Sequence, residues 1–548
     1  MAHAMMATFV AAMTGLSGCY EGLDALESDP EESPGSTEGG ADGQGTDEDD
    51  VTVPAGVTAR RLTRRELRRT LRDLTGAEID TESLLPGEER VGPFSNNAQA
   101  LTFPQVFAEG MVAIAKQASA HVVAQLEASG ECAGALDDAC AQAVLAQWLP
   151  RAWRRSVTDE EHERILAVYE RGRDNEGPAH GLELALQAVL VSAPFVYRIE
   201  HGQPDPAGGW RPTSEEMAVR LSYLVWGTMP DDALMELGRS GALTDPEQIL
   251  AQAQRMLDDP RAHEALAEFH YQWLGLDALE TVDKDLERFT HWDPQMPERM
   301  ATETRLFLDE VAFSGQIDDL FVGRFTYVDS MLAALYELDL VPSSDFTRVT
   351  LPEQGPRAGL LTQGAFLAMN ADFSVTAPVR RGAFVRERLL CDELPPPPPT
   401  VDDTVPEPST ATTTREQYQE HLTDPSCRAC HDLMDPIGLG FEHFDATGKY
   451  RQQHNALPID ATGYVQGTSI DFFDGAVALS EALAGEPRPV ECLARSFAAY
   501  AYGGTGESET DPSVERLVEV ALDQRTHRAL VLATVTTPRF LGLDKELP

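Results

Sequence analysis

The chain contains 548 residues, of which 90 are acidic and 43 are basic, so its net charge at pH 7 is -47. This negative charge repels nucleic-acid phosphates, which excludes nucleic acid as a partner. At roughly 100 to 200 residues per domain, the length indicates about three to four domains, so a small scaffold held together mainly by disulfides is excluded too. After the first few residues, no apolar run reaches the ~18 residues that a membrane-spanning helix needs.

The N-terminus has the pattern of an export signal. Residues 7–16 are apolar or small, the length of a signal-peptide core. The core ends at Leu16-Ser17-Gly18-Cys19, which resembles the lipobox of bacterial lipoproteins, where cleavage before the cysteine exposes it for acylation. The resemblance implies a signal peptide over residues 1–18, lipidation of Cys19 and a membrane partner reached through the lipid. The Lys or Arg expected before the core is missing, so a chance apolar N-terminus with a stray cysteine stays open.

Residues 19–58 predict an acidic, disordered tether. No Lys or Arg occurs between residues 20 and 59, and twelve acidic residues lie among Gly, Ser, Pro and Thr between Glu21 and Asp50. Such a segment buries too little apolar surface to offset the entropy of ordering it, and its charges repel one another. It suits a lipid-anchored protein that is held off a surface.

The remaining chain predicts a mainly α protein. Thr followed three residues later by Glu or Gln recurs before amphipathic stretches, and this capping box satisfies the first amides of a helix. The occurrences are Thr63 with Glu66, Thr158 with Glu161, Thr213 with Glu216, Thr244 with Glu247, and Thr414 with Gln417. The first precedes a basic helix over residues 64–75, whose arginines we expect to pair with the acidic body or to be solvated. A phosphate or lipid-headgroup site there is the alternative.

Composition divides this helical part into five regions. The run Pro395–Pro399 and the Pro- and Thr-rich stretch behind it predict extended polyproline backbone between two packed units. The sequence from Leu149 to Phe195 echoes that from Leu493 to Phe540, which indicates two related helical units. The regions are an N-terminal helical domain (59–130), a helical domain that is the candidate repeat of the C-terminus (140–202), a central helical domain (208–340), a proline-linked domain with a cysteine motif (350–455) and a C-terminal helical domain (460–548).

The cysteine motif Cys427-Arg428-Ala429-Cys430-His431 has the spacing of a c-type haem attachment site. One helical turn presents two thiols to the haem vinyl groups, and the next residue offers an imidazole to the iron. With seven cysteines and 13 histidines, on the order of 0.002 chance occurrences are expected. A thioredoxin-like redox pair would need a preceding strand, and a zinc site would need a second close Cys or His pair. We therefore predict one covalent haem c, with a redox or structural disulfide and a metal site as the alternatives.

Four cysteines remain once Cys19 is acylated and the haem motif is set aside, and an oxidising compartment would pair them. Cys132 with Cys140 closes a short loop, and Cys391 with Cys492 ties the proline-linked halves together. Both pairs are disulfide candidates.

These motifs together resemble the planctomycete-type and myxobacterial cytochrome-associated lipoproteins, which are exported chains of domains of unknown function with one haem motif near the C-terminus. The matching segments are Arg61–Gly76, Ala152–Arg155, Leu221–Asp232, Ala377–Cys391 and Cys427–Arg451. The resemblance covers most of the chain after about residue 58. It implies a multidomain helical body with a C-terminal cytochrome c-like haem region, and it implies architecture more than activity.

The neighbours of the haem motif decide its chemistry. His431 should donate its second ring N–H to a carbonyl near Pro436, which would orient the ring. A haem iron has six coordination positions, and His431 would take the fifth. A side chain in the sixth position makes an electron carrier, whereas an open sixth position permits peroxide or oxygen chemistry. The candidate sixth ligands are His421, His443, His454 and Met369, whereas Met434 is too close to His431 along the chain. Lys449 and Arg451 either bind haem propionates or are surface charges beside a turn at Gly448.

Other catalytic patterns are weak. No nucleophile elbow, Walker loop or His-Glu-x-x-His occurs in the sequence, and His263 and His270, seven residues apart, are read as packing residues. The favoured function is a lipid-anchored haem protein in the periplasm or at the outer membrane that passes single electrons to an unidentified redox partner. An electron carrier is favoured over an enzyme. The alternatives are a peroxidase- or oxygenase-like haem enzyme and a non-catalytic surface scaffold.

Overall fold

The chain folds mainly into α helices, as the sequence predicted. The computed structural model describes residues 59–132, 136–205, 209–339, 344–394, 412–419, 425–504 and 511–542. The signal peptide, Cys19, the tether, Pro395–Pro399 and His421 lie outside the described residues. In the described part of the chain, no helix is long and apolar enough to cross a membrane.

The first hydrophobic core joins helices between residues 62 and 196, with Tyr223 and Met229 added from further along the chain. The helices around it are α1 (Arg64–Thr75), α2 (Thr81–Leu84), α3 (Gln105–Ser129), α4 (Asp138–Trp153), α5 (Asp159–Glu176), α6 (Pro178–Leu190) and α7 (Ala193–Val196). Close packing of α5 on α6 depends on Gly172 and Gly181, because a Cβ on Gly172 would lie 2.7 Å from the Gly181 Cα. The backbones of these two helices therefore touch.

The second, larger core takes Phe94 from the N-terminal part and otherwise extends from Met217 to Phe540. Its first helices are α8 (Ser214–Val225), α9 (Asp232–Arg239), α10 (Pro246–Leu257), α11 (Arg261–Trp273), α12 (Met296–Phe313), α13 (Asp319–Val322), α14 (Ser330–Leu335) and α15 (Gly364–Met369). They are followed by α16 (Pro378–Phe384), α17 (Thr414–Gln417), α18 (Pro425–Gly438), α19 (Gly475–Gly485), α20 (Arg488–Tyr502), α21 (Pro512–Gln524), α22 (His527–Thr534) and α23 (Pro538–Leu541). Both segments of the predicted repeat have a four-residue helix, α7 or α23, after their longer helices; common ancestry stays a prediction, as do the domain boundaries.

Short turns of other helix types connect these elements. The 3₁₀ turns are Ala242–Thr244, Leu276–Thr281, Leu360–Thr362 and Leu439–Phe441. A π turn over Val385–Leu389 continues α16. It leads directly to Cys391.

The described strands form two-stranded antiparallel pairs. The pairs are β1 (Ala59–Arg61) with β2 (Tyr197–Ile199), β3 (Gln203–Pro204) with β4 (Trp210–Arg211), β5 (Phe325–Val328) with β6 (Thr347–Thr350), β7 (Gln453–His454) with β8 (Leu457–Pro458), and β9 (Thr462–Gly463) with β10 (Phe473–Asp474). In the longest pair Phe325 lies opposite Thr350. The strands join loops to the helical body and build no sheet core.

Three of the five predicted capping boxes are confirmed, at Thr63, Thr158 and Thr213. The box at Thr244 is wrong, since Asp245 caps α10 through the Glu247 amide and Thr244 ends a 3₁₀ turn. Pro246 is the first residue of α10, a position where proline loses no hydrogen bond, so the preceding aspartate becomes the cap.

The box at Thr414 is wrong by one residue. The cap is Thr413, whose hydroxyl accepts from the Glu416 amide while the Glu416 carboxylate accepts from the Thr413 amide. A carboxylate accepts these bonds more strongly than the neutral Gln417 amide that the sequence suggested.

The arginines of α1 pair with acidic side chains of the body, as expected. Leu67, Leu71 and Leu74 bury the apolar face of this helix. The ion pairs on its other faces are Arg64 with Glu82, Arg65 with Glu268, Arg69 with Glu264, and Arg72 with Glu264. The pair with Glu82 attaches α1 to α2, and the pairs with Glu264 and Glu268 attach α1 to α11.

Candidate functional site

The motif Cys427-Arg428-Ala429-Cys430-His431 lies near the start of α18. Cys427, Cys430 and His431 occupy positions i, i+3 and i+4 of this helix, so their side chains share one face. All three residues are half-buried, and neither thiol forms a disulfide. Two reduced thiols and one imidazole on one face are the donors that covalent attachment of a c-type haem requires.

His431 is held by a carboxylate. Its Nδ1 lies 3.0 and 3.1 Å from the two carboxylate oxygens of Asp435, which is completely buried. The sequence suggested a carbonyl near Pro436 as the acceptor; the structure differs because α18 continues through Pro436 to Gly438. In an uninterrupted helix the side chain four residues on shares the face of His431. Nε2 is then the ring nitrogen through which His431 would bind an iron.

The second half of α18 is in backbone contact with α16. A Cβ on Gly382 would lie 2.0 Å from the Met434 carbonyl oxygen, and one on Gly438 would lie 1.8 Å from the Pro378 carbonyl oxygen. Both distances are shorter than any side chain allows, so only glycine fits at these positions. The two glycines therefore fix the position of α18 against α16.

Arg381 fastens the segment that follows α18. Its guanidinium is fully buried and donates to the carbonyl oxygens of Phe441, Phe444, Leu367 and Asp445, at 2.9 to 3.1 Å. Burial lowers its pKa to about 10, and the carboxylate of Glu442 opposes this effect. By donating to four backbone carbonyl oxygens, the buried guanidinium holds the segment after α18 against α15.

Lys284 performs the same role at the end of α15. Its buried ammonium donates to the carbonyl oxygens of Ala368, Ala371 and Asp372 at 2.8 to 3.1 Å. Burial lowers the pKa of Lys284 to about 8. These three hydrogen bonds fix the backbone around Met369, which is itself half-buried against the larger core.

Both described histidine candidates for the sixth ligand have a polar partner at Nδ1. His443 donates from Nδ1 to the Arg451 carbonyl oxygen at 3.0 Å, and its ring stacks on Tyr450. Nδ1 of His454 lies 3.0 Å from the Thr414 hydroxyl, and burial lowers the pKa of His454. The identity of the sixth ligand stays a prediction.

The two propionate candidates contact acidic residues. Arg451 donates to the Glu442 carboxylate at 2.8 Å, and Lys449 lies 3.4 Å from the Glu337 carboxylate. Gly448, at φ +83°, forms the expected turn directly before Lys449. In this arrangement Arg451 neutralises a buried glutamate, and Lys449 is half-exposed on the surface.

The four remaining described cysteines form two disulfides. Cys132 joins Cys140, with their Cα atoms 5.5 Å apart, and Cys391 joins Cys492, with their Cα atoms 5.4 Å apart. Cys391 has φ +54° at the end of the π turn, and Cys492 is buried in α20. The second disulfide therefore ties the residues before the proline-rich stretch to the C-terminal helices.

His263 and His270 do not form a shared site. His263 lies 2.7 Å from the Asp309 carboxylate and stacks on Phe313, whereas His270 is buried with its Nε2 3.0 Å from Nε2 of His527. Their interpretation as packing residues agrees with these contacts.

Asp435 is the site residue that the sequence interpretation missed. The signal was present, since an acidic residue four positions after the motif histidine shares its face if the helix continues. Proline usually interrupts a helix, so Pro436 gives no local reason to expect the helix to continue through Asp435 to Gly438.

Four protein families match successive segments of the chain, and each is described as a protein of unknown function. They are PSD3 (DUF1587) over residues 60–124, PSD5 (DUF1595) over 140–200, PSD4 (DUF1592) over 213–338 and PSCyt3 (DUF1588) over 357–454. The last range contains Cys427, Cys430 and His431. No curated protein and no solved structure matches the chain. Four such matches in one multidomain chain fit a planctomycete cytochrome-associated domain family.

Proposed function

We propose that this protein is an exported c-type haem protein that carries single electrons in the cell envelope. The observation that supports it best is the shared face of Cys427, Cys430 and His431 on α18, with the imidazole held at Nδ1 by Asp435. The name PSCyt3, given to the family that matches this segment, is consistent with a cytochrome.

Each residue of the motif has a distinct role. Cys427 and Cys430 would attach the two vinyl groups as thioethers, and His431 would bind the iron through Nε2. A bound haem supplies an iron that exchanges one electron between its ferric and ferrous states. Asp435 orients the imidazole, and the glycine contacts between α16 and α18 hold the helix against the body. No proton or substrate step is needed for electron transfer.

Export and lipid anchoring belong to the same proposal. Two disulfides in one chain favour an oxidising compartment such as the periplasm or the cell surface. The lipobox-like sequence before Cys19 supplies the attachment to a membrane. A Cys19→Ser variant should leave the membrane fraction and appear in the soluble fraction, and unchanged membrane retention would refute the anchor.

A haem enzyme is the second candidate, and the Asp435 contact favours it. A carboxylate partner makes an imidazole ligand more basic, which suits chemistry on peroxide or oxygen as well as electron transfer. The two functions differ in the sixth ligand of the haem iron, which is a fixed side chain in an electron carrier and exchangeable in such an enzyme.

An absorption spectrum separates these functions. The full chain is made in a host with cytochrome c maturation machinery, and spectra are recorded oxidised, reduced, and reduced with carbon monoxide. We expect acid-stable haem and a low-spin spectrum that carbon monoxide does not change. A carbon monoxide shift would favour the enzyme, and absence of haem would refute both and leave a non-catalytic scaffold.

Matched variants assign the haem to the motif. A Cys427→Ser and Cys430→Ser double variant should lose acid-stable haem. A His263→Gln variant, which alters a histidine of α11, should keep the wild-type spectrum. Haem retained by the double variant would place the attachment elsewhere.

A further inference from the structure

The partner of His431 is a buried acid. Asp435 presents both carboxylate oxygens to Nδ1, at 3.0 and 3.1 Å, and its side chain has no exposed surface. A carbonyl in this position would be a neutral acceptor, whereas a carboxylate brings a full negative charge. Away from water that charge acts on its surroundings far more strongly than a surface carboxylate does.

The backbone on both sides of Asp435 is in close contact with glycines of other segments. The Met434 carbonyl oxygen lies against Gly382, and the Pro436 carbonyl oxygen would lie 2.1 Å from a Cβ on Gly463. Neither neighbour has room to move, so the carboxylate is held in one position relative to the His431 ring. This is the arrangement by which a second residue orients a metal ligand and raises its basicity.

We propose that Asp435 is a positioning residue that lowers the reduction potential of the haem site through its contact with His431. The inference rests on the proposed function, because it concerns a haem held by His431. A negative charge behind the ligand stabilises the oxidised form, which carries one more positive charge than the reduced form. The site is thereby suited to donating its electron to an acceptor.

The test is a spectroelectrochemical titration of the haem-loaded full chain and two variants. Asp435→Asn keeps an oxygen acceptor near Nδ1 and removes the charge. Asp432→Asn is the matched control: this acid lies on α18 too, one turn before Asp435, but its carboxylate accepts from the Tyr464 hydroxyl and not from His431. Covalent haem content is measured in the same samples.

We expect Asp435→Asn to raise the ratio of reduced to oxidised haem at a fixed ambient potential at least tenfold, which is about 59 mV for one electron. Asp432→Asn should change this ratio less than about threefold, because its charge is screened by solvent. Equal ratios in the two haem-loaded variants would overturn the role of Asp435 and leave the haem proposal standing. Absence of covalent haem from the wild-type chain would overturn both.

A second variant covers the case in which Asp435→Asn does not fold. Asp435→Glu retains the charge but lengthens the side chain, so the contact with His431 is displaced. Its reduced-to-oxidised ratio should lie above that of the wild type, because the negative charge is no longer in contact with His431. A wild-type ratio in Asp435→Glu, with full haem content, would overturn the proposal.

Discussion

The buried pair of His270 and His527 should make the larger core sensitive to acid. Nε2 of His270 lies 3.0 Å from Nε2 of His527, and both rings are almost completely buried. Burial lowers the pKa of His527 from 6.5 to about 4 and holds that of His270 well below its usual value. The pair joins α11 to α22, so protonating either ring places a charge inside the core.

The sign of this effect follows from proton binding. Between pH 6.5 and pH 4 the unfolded chain binds a proton at His527 that the folded chain does not bind. The contribution of His527 to the free energy of unfolding therefore falls as the pH falls through this window, and it is fully present above pH 6.5. For His527 alone, about 2 kcal/mol is lost at pH 5 and about 3 kcal/mol below pH 4, at ~1.4 kcal/mol per pKa unit.

Urea unfolding at pH 7 and pH 5, followed by circular dichroism, measures the difference. Relative to the wild type, His527→Gln should show a change in free energy of unfolding from pH 7 to pH 5 that is about 2 kcal/mol less destabilising, whatever its effect on stability at pH 7. Leu530→Ala is the control, because it removes a buried side chain of the same helix without a titratable group. If the acid-induced loss in His527→Gln equals that in the wild type and in Leu530→Ala, the pair does not titrate as argued.

Three further changes test other parts of the structure. Gly382→Ala should lower the free energy of unfolding by about 3 kcal/mol, because its Cβ would lie 2.0 Å from the Met434 carbonyl oxygen. Arg381→Lys should cost about 3 kcal/mol, because a lysine cannot reach the carbonyls that the guanidinium binds. Burial raises the pKa of Glu303 from 4.5 to about 7, so the folded chain binds the extra proton in this range. The contribution of Glu303 to the free energy of unfolding should therefore fall by about 3 kcal/mol as pH rises from 5 to 8. The free energy of unfolding of Glu303→Gln at pH 8, relative to its value at pH 5, should exceed the wild-type difference by about this amount.

Each change has a control on the same or a neighbouring element, with urea midpoints as the measurement. Gly485→Ala meets no atom within 4 Å and should not destabilise the protein. Arg380→Lys alters an arginine that is half-exposed and should cost less than about 0.5 kcal/mol. Glu298→Gln, on the exposed face of α12, should keep the wild-type difference in free energy of unfolding between pH 5 and pH 8. A control that behaves like its partner would contradict the argument for that position.

Helix formation was predictable from the sequence where its signals are local. The caps at Thr63, Thr158 and Thr213 needed only a Thr and a Glu three residues apart, and each begins a helix. The wrong cap at Thr244 shows the limit, because an aspartate followed by a proline competed with it from the next position. Local rules select the right element but not always its first residue.

The candidate site was predictable only where its residues are adjacent in sequence. The spacing of Cys427, Cys430 and His431 predicts one shared face if the segment is helical, and it is. The contact between Gly382 and Met434 joins residues that are far apart in the chain, and no local pattern indicates it. The role of Asp435 depends on that packing, because α18 must stay helical through Asp435, directly before Pro436, for the carboxylate to reach the imidazole.

The disulfide between Cys391 and Cys492 closes the segment that carries the cysteine motif into a covalent ring. The two cysteines are 101 residues apart, and Cys427, Cys430 and His431 lie between them. A protease that cuts the backbone once inside this ring leaves both fragments joined through sulfur, so a nicked chain remains one molecule. Any redox group attached to the motif would therefore stay with the C-terminal helices after such a cut, and only reduction of the disulfide would release the two pieces.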